Sequence, residues 1–311
     1  MNWAPSTAPS PRSSADPIVG RGTGGDRIPV PLPAWTPSTT ESRRTTVTQP
    51  TTRTSDAPGP ARAGRDAEDF EGQYVSKLVD RWDQLIDWDR RGAGEQDFFV
   101  ELLREAEARR VLDVAAGTGY HAVTLAQQGF DVTAADGSAE MIAWTRRNAE
   151  GRGLSFPAVQ ADWRRLGEHI GGRYDAVVCL GSSLPHLFQE ADRRAALAAF
   201  YEVLNPGGML IVDHRNFDAI RRHRYSSSGN YYYCGTGANV SIAHVDGRLC
   251  RFQYDFADGS THHLDVYPIL SDELSALLID TGFDTVQQFG DFQENYDIDA
   301  VDFVIHVARK Q

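Results

Sequence analysis

From Tyr74 onward, Tyr74, Val75, Leu78, Val79, Trp82, Leu85 and Ile86 recur at three- and four-residue intervals, the spacing that gathers apolar side chains on one face of a helix. A second helix is expected over roughly residues 95–109. Short apolar runs then alternate with helical stretches. The runs are 110–114 (RVLDV), 131–135 (DVTAA), 157–161 (PAVQA), 174–180 (YDAVVCL) and 208–213 (GMLIVD), and the helical patterns lie near 119–128, 138–150 and 190–204. Strands with so little polar interruption are covered on both faces, which predicts a parallel sheet between two layers of helix. The NPGG stretch at 205–208 supplies proline and glycine where the last of these helices must stop.

After Asp213 the rhythm changes. Residues 225–268 carry aromatic, β-branched and polar residues in short alternating bursts, divided by Asp-Gly pairs at 246–247 and 258–259. That pattern predicts an antiparallel insertion of hairpins after the fifth strand. A helix at 272–281 and strands near 283–290 and 302–308 complete the chain.

Composition separates an N-terminal segment from the rest. Residues 1–68 hold 11 of the 15 prolines, eight Arg, no Lys and few apolar residues, so they are expected to be disordered, leaving 69–311 as the folded unit. The segment carries eight bases against six acids and the remainder 23 against 37. So acidic a body argues against an electrostatic grip on nucleic acid or an anionic membrane. Cys179, Cys234 and Cys250 are widely spaced and contain no CxxC pair, which fits a reducing cytoplasm. No apolar run approaches membrane-spanning length, and neither a signal-peptide pattern nor a metal-ligand spacing such as HExxH is present.

The candidate chemistry lies at the ends of the expected strands, where open parallel sheets bind their ligands. In VLDVAAGTGYH (111–121), Gly117 and Gly119 join the first strand to a helix, letting backbone approach a ligand beside free helix N–H groups. Asp136 ends the second strand 19 residues after Gly117, where a carboxylate can accept hydrogen bonds from ribose hydroxyls. Together they indicate a nucleoside ligand. Gly117-x-Gly119-x-x-Ala122 suits a dinucleotide as well as S-adenosylmethionine. Asp162 and Trp163, ending the third strand, offer an acceptor for an adenine amino group and a ring to lie against the base. CLGSSLPHL (179–187) breaks the fourth strand where a reactive end would sit.

With DHRNFD (213–218), YVSKLVDRWDQLIDWDRR, YSSSGNYYYCG and GDFQENY, these motifs resemble the class I S-adenosylmethionine-dependent methyltransferases. Within them the chain is most similar to the glycine N-methyltransferases, above all the bacterial glycine/sarcosine enzymes that begin glycine betaine synthesis. The resemblance covers roughly residues 72–309. It implies a Rossmann-like sheet with helices on both faces and a substrate-side β insertion at 214–270. It further implies that Tyr74, Trp82 and Arg91 close over S-adenosyl-L-methionine, Arg91 pairing with its carboxylate, while Ala115, Gly117 and Gly119 meet its methionine portion. Asp136 would take the ribose, Asp162 and Trp163 the adenine, and Leu180 and His186 would complete the pocket. Arg215 would hold the carboxylate of a small amino-acid substrate, with Ser182, Tyr233 and Tyr254 beside it. No metal is implied, and a homo-oligomer is allowed. Two positions depart from the family: Ser182 stands where its motif has asparagine, and Val266 where the animal enzymes have a substrate-side tyrosine. Both departures leave open another small amine as substrate, with a non-catalytic cofactor-binding regulator as the alternative from a different class.

Overall fold

The computed structural model describes residues 85–224 and 238–311. The expected tail, most of the first helix, and Tyr74, Trp82 and Tyr233 lie outside the described residues. In chain order come α1 (Trp88–Glu95), α2 (Phe98–Glu105), β1 (Arg110–Asp113), α3 (Tyr120–Gln127), β2 (Asp131–Asp136), α4 (Ala139–Glu150), β3 (Ala158–Gln160), α5 (Leu166–His169) and β4 (Tyr174–Cys179). They are followed by α6 (Glu190–Val203), β5 (Leu204–Arg215), α7 (Phe217–Arg221), β6 (Ala238–Val245), β7 (Cys250–Phe256), β8 (Thr261–Val266), α8 (Ser271–Thr281), β9 (Thr285–Gly290) and β10 (Phe303–Arg309).

Seven strands form one sheet in the order β3-β2-β1-β4-β5-β10-β9. The first five pair in parallel, and β10 runs antiparallel to both β5 and β9. Alternate side chains enter opposite cores, as the two-residue period of a strand requires. Leu112, Val177, Leu210 and Val212 face Leu197 and Phe200 of α6 and Leu274 and Leu278 of α8. Val111, Val178 and Ile211 face Leu103 of α2 and Ala122 and Leu125 of α3. Strand order reverses across β1 and β4, which opens a crevice at their carboxyl ends.

β6, β7 and β8 form a separate antiparallel sheet, with turns at Asp246–Gly247 and Asp258–Gly259. The inward residues of β7, namely Cys250, Phe252, Tyr254 and Phe256, join the core shared by α6 and α8. This sheet is thereby fastened to the body beside the end of β5.

Two expectations need correction. The helix expected at 95–109 is shorter, Phe98–Glu105, and is preceded by an unexpected one, α1, from which it is separated at Gln96, whose φ is +50°. α6 ends at Val203, just before NPGG as expected, but NPGG already belongs to β5, which begins at Leu204 and not near 208. There Gly207, at φ +77°, donates its N–H to Lys310 O (2.9 Å), and a Cβ on Gly208 would lie 2.8 Å from Asn205 O.

Buried histidines seam the antiparallel side. His306 donates from Nε2 to Ser271 O (3.1 Å), His214 from Nδ1 to Arg215 O (2.8 Å), and the two rings stack 5.3 Å apart. Burial, and next the nearby His214, push His306 down to about 3; burial pushes His186 down to about 4. Unfolded, each titrates near ~6.5, so the unfolded chain binds more protons below that pH. The stability these neutral rings confer is complete above pH ~6.5 and is lost as pH falls toward their folded values. Asp113 and Asp136, both raised to about 6 by burial, oppose this loss only between about 6 and the ordinary carboxylate range. The midpoint of thermal unfolding is expected to fall between pH 7 and pH 5, with a shallower slope in His306→Gln. An unchanged slope in that variant would remove His306 from the account.

Candidate active site at the strand ends

β1 ends in Asp113, which is fully buried; Oδ1 accepts from the Ala115 amide (3.1 Å), and Oδ2 has no hydrogen-bond partner among the described residues. Removing a carboxylate from water disfavours its charge, and burial raises Asp113 to about 6 against the weaker opposing fields of His121 and Arg91. The chain then turns through Gly117 (φ +55°) and Gly119 (φ +100°) into α3, whose N-terminus has no side-chain cap.

The turn is held from behind by neighbouring elements. The Gly117 amide donates to Asp136 Oδ2 (2.9 Å) and the Ser138 amide to Oδ1 (2.9 Å), locking the Asp136 carboxylate at the end of β2. From α4, Thr145 Oγ1 donates to Gly117 O and Asn148 Nδ2 to Thr118 O, both at 2.8 Å. A Cβ on Gly119 would lie 3.1 Å from Thr145 Cα, so the closeness of turn and helix requires glycine there.

At the end of β3, the Trp163 indole N–H donates to Val114 O and its ring meets Phe200 edge-on at 6.1 Å. Asp162 caps the following turn through the Arg164 amide (2.9 Å), and both its oxygens also accept from the Arg164 guanidinium. Those bonds with Arg164 outweigh partial burial and hold Asp162 below the usual carboxylate range. Leu180 is buried, and its side chain joins the core on the α2–α3 face. Only its backbone reaches the strand end, where Leu180 O accepts from Ser183 Oγ (2.8 Å).

The β4 and β5 ends are stitched together. Gly181 (φ +86°) and Ser182 (φ +59°) both take left-handed backbone, and the Ser182 amide donates to Asp213 Oδ1 (2.7 Å). In return the Arg215 amide donates to Ser182 Oγ (3.1 Å). The Arg215 guanidinium is buried over Phe252 of β7 (4.9 Å) and Phe303 of β10 (5.4 Å). Tyr254 is buried two residues along β7, and Val266 pairs in register with Cys250. His186 ends a short turn at 184–186 that is tied to the end of β8 by the Tyr267 amide donating to Pro185 O (2.8 Å). Its depressed pKa keeps it neutral at physiological pH.

Arg91 belongs to α1. Its Nε donates to Glu95 Oε1 (2.6 Å), and its guanidinium lies 4.6 Å over the ring of Tyr120, the first residue of α3. His121 Nε2 approaches both Glu95 oxygens (3.1 and 3.2 Å). Burial works to raise Glu95, but Arg91 and His121 outweigh it and bring the carboxyl to about 2. Glu95, Asp113 and His121 were not among the residues expected here; the clue was the YH that follows the glycine turn and the acid that precedes it.

The structure thus gathers Ala115, Gly117, Gly119, Asp136 and Trp163 around the β1 end, and Ser182, Arg215 and Tyr254 around the β5 end. Among the described residues no group of three or more metal-ligating side chains occurs, and no helix is long and apolar enough to cross a membrane.

Comparison with known proteins places this arrangement. A family model described as a methyltransferase domain matches residues 111–208. The chain is 50% identical over 247 residues to a glycine/sarcosine N-methyltransferase of Halorhodospira halochloris, covering 79% of this chain and 92% of that protein. It is 44% identical over 246 residues to the protein of the same name from Aphanothece halophytica, covering 79% and 93% respectively. A crystal structure of an S-adenosylmethionine-dependent methyltransferase from Clostridium acetobutylicum shares the fold, with a TM-score of 0.62 at 17% identity over 76% of this chain and 98% of that one.

Gly119→Ala is expected to destabilise the protein by about 1–3 kcal/mol, since it adds a side chain to a left-handed position pressed on Thr145. Urea unfolding measures this directly. A change within error of zero would show that the turn and α4 move apart freely.

Proposed function

The chain belongs to the glycine/sarcosine N-methyltransferase family, and from that membership we propose that it carries methyl groups from S-adenosyl-L-methionine to the nitrogen of glycine and then of sarcosine, in glycine betaine synthesis. The observation that carries the substrate reading is Arg215, a buried guanidinium at the end of β5, flanked by aromatic rings and by the antiparallel sheet. A planar guanidinium suits a carboxylate handle, the group shared by glycine and sarcosine.

The residues present fit the methyl donor. Asp136 stands where ribose hydroxyls can donate to it. Asp113 Oδ2, buried and without a hydrogen-bond partner among the described residues, suits a cationic ammonium. The glycine turn, where backbone without side chains allows close approach, and the start of α3, which has no side-chain cap, suit the methionine portion. Trp163 borders the adenine side, and Asp162 keeps acceptor capacity beyond its bonds to Arg164. Leu180 contributes backbone, and Arg91 closes the far side. When bound, the cofactor supplies an electrophilic methyl group on a sulfonium.

The chain's own task is then positioning. Arg215 holds the substrate carboxylate, Ser182 fixes the Arg215 backbone from behind, and Tyr254 bounds the amine side, so that nitrogen and methyl carbon meet in line. Burial keeps His186 neutral and a weak base, so it is given no proton-transfer role; the transfer itself needs the substrate nitrogen as the neutral amine. We place the reaction in the cytoplasm, in keeping with the cysteine usage, and take residues 69–311 as the catalytic unit.

Purified protein with labelled S-adenosylmethionine and a panel of glycine, sarcosine, dimethylglycine and larger amines tests the substrate. Transfer to larger amines with none to glycine or sarcosine would sink the proposal. Arg215→Ala should raise the glycine KM by roughly 10–100-fold, the loss of a charge-assisted pair, while cofactor affinity stays within about twofold. A second expectation concerns pH. Asp113 and Asp136 sit at about 6 in the free protein, so acidification below that value removes their charge before the donor binds. Calorimetric cofactor affinity should therefore weaken between pH 7 and pH 5, and Asp136→Asn should bind weakly at both with a shallower dependence.

A further inference from the structure

α1 is unusual in what it buries. The residues it hides from solvent are Arg91 and Glu95, one turn apart, and both are about as inaccessible as the aliphatic core: 6% and 5% exposed. Burying charges is costly unless each finds a partner. The Arg91–Glu95 pair is completed by His121, 8% exposed, from the second position of α3. His121 Nε2 lies 3.1 and 3.2 Å from the two Glu95 oxygens and 3.2 Å from Arg91 Nη2, so the ring sits in contact with both members of the pair. Glu95 therefore accepts from Arg91 Nε and meets His121 at Nε2, and all three side chains touch one another.

The surrounding rings leave this cluster little freedom. Arg91 stacks over Tyr120, Trp88 meets Tyr120 edge-on at 5.4 Å, and His121 is set against Phe99 and Tyr120 at 5.5 and 5.0 Å. Tyr120 and His121 directly follow Gly119. The orientation of Arg91 is thus referenced to the glycine turn itself. Arg91 and His121 also act electrostatically on Asp113 at the end of β1.

We propose that Glu95 and His121 are positioning residues for the methyl donor: they fix the Arg91 guanidinium beside the glycine turn, so that the grip on the amino-acid end of the cofactor depends on two side chains that need not touch it. This rests on the proposed function, in which that end of S-adenosylmethionine lies at the turn. The carboxylate and ammonium of the donor meet Arg91 and Asp113, opposite charges whose separation is set by the buried network. Without Glu95, Arg91 loses the partner that fixes its Nε edge, and its guanidinium is free to collapse toward Asp113. The adenosine end, held by Asp136 and the β3 turn, is indifferent to that change.

The test compares two ligands on the full chain by calorimetry: S-adenosylmethionine, and 5′-methylthioadenosine, which keeps the nucleoside and lacks the amino-acid portion. Glu95→Gln should weaken the cofactor by at least about tenfold, the scale of one lost charge-assisted bond, while changing 5′-methylthioadenosine by less than about twofold. His121→Gln, which retains a donor near the Nε2 position, should bind the cofactor better than His121→Leu. Thermal unfolding establishes that each variant is folded, and if Glu95→Gln is not, the two His121 variants make the same comparison. Equal weakening of both ligands, or no weakening of either, overturns the proposal and leaves the network a purely structural one. If the wild-type protein binds both ligands alike, the amino-acid end is not held at this turn, and the failure lies in the underlying reading.

Discussion

The hydrogen bond from the Gly117 amide to Asp136 is the constraint from which the rest of the site follows. It joins the ends of β1 and β2, and it requires the chain after Asp113 to curl back at positive φ so that an amide points across the sheet. Once that curl exists, α3 must begin at Tyr120, α4 must lie close enough for Thr145 and Asn148 to bind the turn's carbonyls, and Gly119 cannot carry a side chain. The same bond fixes the Asp136 carboxylate with its oxygens already oriented. A ligand meets a formed acceptor and bears little ordering cost.

Charge in the site is governed by partnership more than by depth. Glu95 and Asp113 are both withdrawn from water, and burial is the largest influence on each, raising both. Glu95 touches Arg91 and His121 and ends at about 2, whereas Asp113 is bonded to backbone amide, feels the cations only at a distance, and ends at about 6. The difference marks which carboxylate is complete within the protein. Glu95 is a structural anion with Arg91 and His121 already in contact with it, while Asp113 has an oxygen still unmatched among the described residues. Of the two, Asp113 is the one a cationic ligand would relieve.

How much of this was legible in the sequence depended on whether the burial was apolar. The strands at 110–113, 131–136 and 174–179 and the helices of the two cores announce themselves because their buried faces are hydrocarbon. The glycine turn and Asp136 were visible for a different reason, since residue type at a strand end carries the chemistry directly. α1 was invisible: WDRRGAGE has two glycines and no apolar period, and its inward face is an ion pair. NPGG marks where α6 stops, but proline and glycine do not tell that a strand with a register shift takes over at once. Asp162 and Leu180 were placed correctly at strand ends, yet their immediate partners, Arg164 and the α2–α3 core, depend on tertiary geometry that spacing does not encode.

The substrate side is built by a longer route. Arg215 lies in the last position of β5, but the ring over which it sits most closely is Phe252, from a sheet that the chain adds some 35 residues later by sequence number. What brings that ring into place is the inward face of β7, anchored in the core shared with α6 and α8, and the clasp between Pro185 and Tyr267. Arg215 itself is fixed through its backbone, by Ser182, whose left-handed φ turns its hydroxyl back toward the Arg215 amide. Serine is not a residue that favours this conformation, and the asparagine that the family resemblance places there tolerates it better. The hydroxyl's bond to β5 is the compensating gain. The departure at Ser182 therefore exchanges an amide for a tether, and its consequence for the amine substrate is to be sought in how firmly Arg215 is held.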